Sequence, residues 1–247
     1  MDDALLGEQL GAGKEAEVFA FGTRVAKIYR PAAGKAVAFR EASIIAMVET
    51  TGLPVPAVAG VRTFGQRWGL IMDRAEGPPF AATMREKPHS IRGHVAAMAD
   101  LHRTIHSKAL PHLTNLKRRL KRNIVRASLA DEEQRRVLAH LAKLPDGDAL
   151  CHGDFHPFNI MGRPGAALIV DWLDAASGDP AADLARSYVL MHGMSPALAV
   201  AYVDAYTSRS AVSRKAVEAW VPVVAAARLS EGVPAEQVAL LEMARSV

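Results

Sequence analysis

Nine residues constrain this chain more than any others. They read His152-Gly153-Asp154-Phe155-His156-Pro157-Phe158-Asn159-Ile160, with an aspartate and an asparagine five positions apart. Glycine and proline punctuate the segment, which favours a loop over regular structure. Downstream, the apolar run Ala167-Leu168-Ile169-Val170 ends in Asp171. A carboxylate at the end of a buried strand is well placed to meet a ligand. Asp and Asn supply the hard oxygen ligands that magnesium prefers. A further carboxylate that stays off the metal can orient a substrate hydroxyl and accept its proton.

The N-terminal part adds three more features in a telling order. Gly11-Ala12-Gly13-Lys14-Glu15-Ala16-Glu17-Val18 lies between two strand-like segments. Glycines let a backbone approach phosphate closely and offer its N–H groups to the oxygens. A Walker-type loop does not fit, because it would need glycine where Glu8 stands and a hydroxyl where Glu15 stands. The dinucleotide fingerprint fails as well, since a strand rather than a helix follows. Lys27 falls in the strand-like run Val25–Tyr29, on the same face as Val25 and Tyr29. Residues 34–50 have helical spacing, and Glu41 sits inside the apolar stripe of Val37, Ile44, Ile45 and Val48. A buried carboxylate needs a cationic partner, and Lys27 is the obvious one.

Glycine loop, strand lysine, helix glutamate, catalytic loop and metal aspartate occur here in the order found in protein kinases. The Asp-to-Asn interval also equals that of the kinase motif His-Arg-Asp-Leu-x-x-x-Asn, with Gly153 in place of the arginine. The chain resembles the aminoglycoside phosphotransferase and choline kinase group of kinase-like enzymes. The resemblance rests on residues 152–159, on Ile169-Val170-Asp171-Trp172, on Gly178-Asp179-Pro180 and on Asp183-Leu184-Ala185. It runs from the glycine loop, whose third glycine is replaced by Ala16, to about Tyr188.

That resemblance implies an α+β, two-lobed, protein-kinase-like fold. A small antiparallel sheet with one helix would occupy 1–76, and a larger, mainly helical lobe 77–247. It implies ATP and Mg2+ as cofactors and a small-molecule hydroxyl as acceptor. Asp154 would be the catalytic carboxylate, and Asn159 and Asp171 the magnesium ligands. Lys27, held by Glu41, would bind the α- and β-phosphates beneath the loop of Gly11 and Gly13. The backbone of Asp73 and Ala75 would bind adenine at the hinge. Asp183 would brace the catalytic loop, and Asp174 would reach substrate. Only seven residues lie between Asp171 and Gly178 counting the latter, which leaves no room for the activation segment of a protein kinase.

The remaining features exclude more than they assign. The acidic Met1-Asp2-Asp3, the lone Cys151 and the absence of a 20-residue apolar run fit a cytoplasmic protein with no disulfide and no membrane span. A net charge of +4 suits an anionic ligand but does not argue for nucleic acid. The basic run Lys117–Arg122 lies beside the stripe of Leu113, Leu116, Leu120 and Ile124 and reads as a solvated helix face within a helical stretch over 113–143. His152 and His156 lack the further ligands of a zinc site and read as structural. Gly77-Pro78-Pro79 is the best linker candidate. The rival reading is a catalytically weak, nucleotide-binding regulatory module, favoured by the altered glycine loop. The acceptor and the oligomeric state are not legible.

Overall fold

A computed structural model describes residues 6–247; the acidic Met1–Asp3 lies outside the described residues, as does Leu5, expected to lead into the first strand. The backbone divides into two compact units, Met1–Pro79 with Ile160–Leu173, and Phe80–Asn159 with Asp174–Val247.

The first unit is built on a five-stranded antiparallel sheet of β1 (Leu6–Ala12), β2 (Ala16–Phe21), β3 (Arg24–Tyr29), β4 (Val58–Phe64) and β5 (Arg67–Asp73), in the order β1-β2-β3-β5-β4. Gly22 takes a φ of 59°, the left-handed value that the two-residue turn between β2 and β3 requires. β3 is buried on both faces. Ala26 and Ile28 pack with Phe64, Phe19, Phe21 and Ile71, so that Val25, Lys27 and Tyr29 fall on the opposite face. Helix α1 (Gly34–Glu49) packs on β3, β4 and β5 and buries Ala38, Glu41, Ile44, Ile45 and Val48. It ends ahead of Pro54 and Pro56, where proline cannot continue a helix.

The second unit carries α2 (Phe80–Glu86), α3 (Ile91–His106), α4 (Leu116–Arg126), α5 (Asp131–Lys143), the strand β6 (Ala149–Cys151), and later α6 (Pro180–Met194), α7 (Pro196–Thr207), α8 (Arg214–Arg228) and α9 (Gln237–Ala244). Its core gathers around α6, which packs on α7 and α8, with Phe155, Tyr202, Tyr206 and Trp220 among the largest buried side chains. The stretch read as helical over 113–143 is two helices. Ala127 and Ala130 are extended, and Asp131-Glu132-Glu133 open α5, where negative charge complements the helix N-terminus. Among the described residues no helix is long and apolar enough to cross a membrane.

The fold class is the expected one: an antiparallel sheet with one helix, then a mainly helical part. The partition differs from the expected lobes 1–76 and 77–247. The hairpin of β7 (Ile160–Arg163) and β8 (Ala166–Ile169) belongs to the first unit. The reason is backbone pairing. Ile169 donates its N–H to the Pro54 carbonyl (2.8 Å), and Gly162 donates to Pro78 (2.9 Å), within the presumed linker.

Candidate active site

In the first unit, Lys27 is the centre of a charged triad. Its Nζ lies 2.7 Å from Glu41 Oε1 and 2.9 Å from Asp171 Oδ1. Glu41 is fully buried, and the Tyr29 hydroxyl donates to its second oxygen. The partner required by a carboxylate in an apolar stripe is therefore present, together with a tyrosine that the spacing did not suggest. Burial works against the charge on Lys27, but Glu41 and then Asp171 outweigh it and hold the ammonium above its usual range. Burial likewise pushes the Glu41 carboxyl up, opposed by Lys27.

Asp171 owes its position to local geometry. It follows β8 with a φ of 64°, and is the one non-glycine residue of positive φ among those described. Aspartate tolerates this region better than most side chains. Trp172, next in sequence and fully buried, returns its indole N–H to the Ile169 carbonyl at 3.0 Å and closes the turn.

The other first-unit candidates are backbone positions. Gly11 pairs with Val18 across β1 and β2, and Gly13 donates its N–H to the Ala16 carbonyl at 2.8 Å. Ala16, where a third glycine would stand, is buried opposite Tyr29. Asp73 ends β5, gives its N–H to the Ala57 carbonyl (2.9 Å) and pairs its side chain with Arg24 (3.3 Å). Ala75 follows in the coil beyond β5. Among the described residues no hydrogen bond joins Gly11, Gly13, Asp73 or Ala75 to the Lys27 triad.

In the second unit, the catalytic-loop candidates meet as the spacing suggested. Asn159 Nδ2 donates to the Asp154 carbonyl (2.9 Å) and to its Oδ2 (3.1 Å). His156 Nε2 lies 3.3 Å from the same Oδ2, and Arg186 Nη2 lies 3.5 Å from Oδ1. Burial would raise the Asp154 carboxyl, but the His156 hydrogen bond and the Arg186 charge hold it well below the usual carboxylate range. His156 thus touches the candidate carboxylate itself, beyond the structural part that sequence gave it.

Helix α6 grips this loop from two positions one turn apart. Asp179 caps it by accepting from Ala181 N–H (2.7 Å), and Pro180 fills the first helical position, which explains Gly178-Asp179-Pro180. Asp183 then accepts from the His152 N–H (2.6 Å) and the Gly153 N–H (2.8 Å). Arg186 Nε donates to the Gly153 carbonyl at 3.1 Å. Gly153 has a φ of 82°, and a Cβ there would lie 2.1 Å from the Asp174 carbonyl oxygen. No other residue fits, so an arginine is excluded at the position where the kinase motif has one.

Two further observations fall outside what sequence offered. His102 and His106, one turn apart on α3, approach Asp183 Oδ2 at 2.9 and 3.3 Å. Their other ring nitrogens meet Tyr202 and Tyr206 hydroxyls at 2.5 and 2.7 Å. Every nitrogen has a protein partner, so the cluster is a closed brace behind the loop. Burial, with His106 adding to it, lowers His102 to about 3 and keeps it neutral. Only an i, i+4 histidine pair signalled it in the sequence. Arg119 is the other: it is buried and holds the Asp174 carbonyl, so it leaves the solvated face that the basic run implied. The Asp174 side chain itself is half exposed, 3.8 Å from Arg119.

Each metal candidate, taken by itself, offers an oxygen of the kind a hard cation binds. With Nδ2 turned to Asp154, Asn159 keeps its Oδ1 for a cation, and Asp171 offers a carboxylate. Both are oxygen ligands, as a hard cation prefers.

The phosphotransferase enzyme family model matches residues 7–220. A comparison with curated proteins finds no match. Among solved structures, the aminoglycoside-3'-phosphotransferase of type VIII is 23% identical with a TM-score of 0.63, covering 91% of this chain and 90% of the other. A thermostable mutant of aminoglycoside phosphotransferase APH(4)-Ia, in ternary complex with AMP-PNP and hygromycin B, is 15% identical with a TM-score of 0.70, covering 98% and 95%. A choline/ethanolamine kinase family protein from Mesorhizobium loti is 19% identical with a TM-score of 0.65, covering 98% and 88%. The fold is thus the protein-kinase-like one of these enzymes.

Proposed function

Because the chain belongs to the phosphotransferase enzyme family and is a small-molecule kinase, we propose that it moves the γ-phosphate of ATP, with magnesium, to a hydroxyl of a small molecule. The observation that supports this reading most is the Lys27 ammonium held between Glu41 and Asp171. A lysine fixed by a buried carboxylate is a cation set in place for phosphate oxygens, while Asp171 is set for a metal.

In this reading Asp154 orients the acceptor hydroxyl. A carboxylate held well below its usual range is a weak base. It therefore stays ionised, aligns the hydroxyl and takes its proton as the bond to phosphorus forms. Phosphoryl transfer through a loose transition state asks little more of a base. Asn159 and Asp171 would hold the magnesium, which neutralises charge on the phosphates. Asp183, with His102 and His106 behind it, keeps the loop in register. Gly11 and Gly13 would cover the phosphates, and the backbone of Asp73 and Ala75 would meet adenine. For Asp73 that leaves the carbonyl, because its N–H is already committed to Ala57. Asp174 would contribute at the acceptor side.

Hygromycin B, bound in the complex of a similar aminoglycoside phosphotransferase, makes aminoglycosides one class to test beside amino alcohols, sugars and vitamin-like metabolites. An ATP-consumption screen over such libraries, with and without EDTA, tests the reading. Magnesium-dependent ADP release that rises with one acceptor supports it. ATP binding with no turnover on any acceptor or on water would favour the regulatory module instead.

A further inference from the structure

We propose that Glu231 positions the catalytic carboxylate indirectly, by drawing Arg186 away from a direct ion pair with Asp154. The inference rests on the reading of Asp154 given above. Arg186 Nη2 lies 2.8 Å from Glu231 Oε1 but 3.5 Å from Asp154 Oδ1, and the closer contact is the one to the residue outside the loop. Glu231 is in turn fixed by Arg228 Nη1 at 2.8 Å, and Arg228 Nη2 holds Glu236 at 2.7 Å. A chain of alternating charge therefore runs from Asp154 through Arg186, Glu231 and Arg228 to Glu236.

The arrangement has a chemical consequence. A guanidinium free to approach would close on Asp154, because charge-assisted pairs favour about 2.7–2.9 Å. Both carboxylate oxygens would then carry close partners and be weaker acceptors for a substrate hydroxyl, since Oδ2 already meets Asn159 and His156. Glu231 takes the tight contact instead. Arg186 still anchors the Gly153 carbonyl and still lends its field to Asp154, while its 3.5 Å separation leaves Oδ1 without a tight charge-assisted contact. Arg228 keeps Glu231 from swinging away. Glu231 and Glu236 lie beyond residue 220, past the end of the family match, so the restraint is built on sequence that match does not include.

Steady-state MgATP hydrolysis, with water as the acceptor, tests this on the full chain in Glu231→Gln, Arg186→Met, the double variant and Asp154→Ala. Glu231→Gln should lower kcat by about tenfold with the KM for ATP unchanged. The double variant should match Arg186→Met alone, because without the guanidinium Glu231 has nothing to restrain. A kcat in Glu231→Gln equal to wild type, or independent losses that multiply in the double variant, would overturn the inference. A thermal midpoint in Glu231→Gln within a few degrees of wild type separates the effect from unfolding. Asp154→Ala tests the underlying reading separately: if it hydrolyses ATP as wild type does, that reading fails, whatever Glu231→Gln does.

Discussion

Lys27 and Arg186 solve one electrostatic problem in two regions. Each is a cation largely withdrawn from water and shared by two carboxylates, one of them a functional candidate. Lys27 has Asp171 and Glu41; Arg186 has Asp154 and Glu231. The far partner makes the difference. Glu41 is fully buried on a helix facing the sheet, whereas the Glu231 side chain keeps about a third of its exposure, at 35%, in a 3-10 turn. The first pair is locked by burial, because separating it would strand a charge away from water. The second is adjustable and relies on Arg228 for its hold.

The largest stability effect falls at Glu41. Glu41→Ala should cost about 3 kcal/mol, since it leaves the Lys27 ammonium and the Tyr29 hydroxyl without their buried acceptor. Urea unfolding measures it, and a loss under about 1 kcal/mol would break the claim that burial locks the pair. Lys27→Ala should lower kcat/KM for ATP by about a hundredfold, or about 2.7 kcal/mol of transition-state stabilisation, in steady-state kinetics.

Acid should act next, through the brace behind the loop. His102 is lowered to about 3 in the fold, against 6.5 for an ordinary histidine. The unfolded chain thus binds an extra proton between those values, so the stability it represents is intact above pH 6.5 and is lost as pH falls. Between pH 7.5 and 5 the loss from this residue comes to about 2 kcal/mol. Urea midpoints at the two pH values in wild type and His102→Gln check it; equal pH dependence in both would remove His102 as the cause. Smallest of all, Glu231→Gln should change stability by less than about 1 kcal/mol, because a part-exposed ion pair contributes little.

How much of this was legible depends on whether the determinant was local. Asp154 with Asn159 and the strand ending before Asp171 are short-range patterns, and each sits where spacing put it, whereas Gly178-Asp179-Pro180 was known only through a resemblance and proves to be the capped start of α6. Glu41 was found through a conflict, a charge inside an apolar stripe, which names its own partner. Arg186 and Arg119 gave no such conflict, because an arginine on a helix reads as solvated until its neighbours are known. The charge network from Arg186 to Glu236 spans about 50 residues of sequence and exists only through packing. The β7–β8 hairpin joined the first unit through pairing with Pro54 and Pro78, contacts that no local pattern encodes.

Direct transfer of labelled γ-phosphate from ATP to an acceptor found by screening, compared between wild type and Asp154→Asn, tests the central claim. The account predicts magnesium-dependent phosphorylated acceptor from wild type and a loss of about a thousandfold or more in the variant. Equal transfer by the two proteins would contradict it.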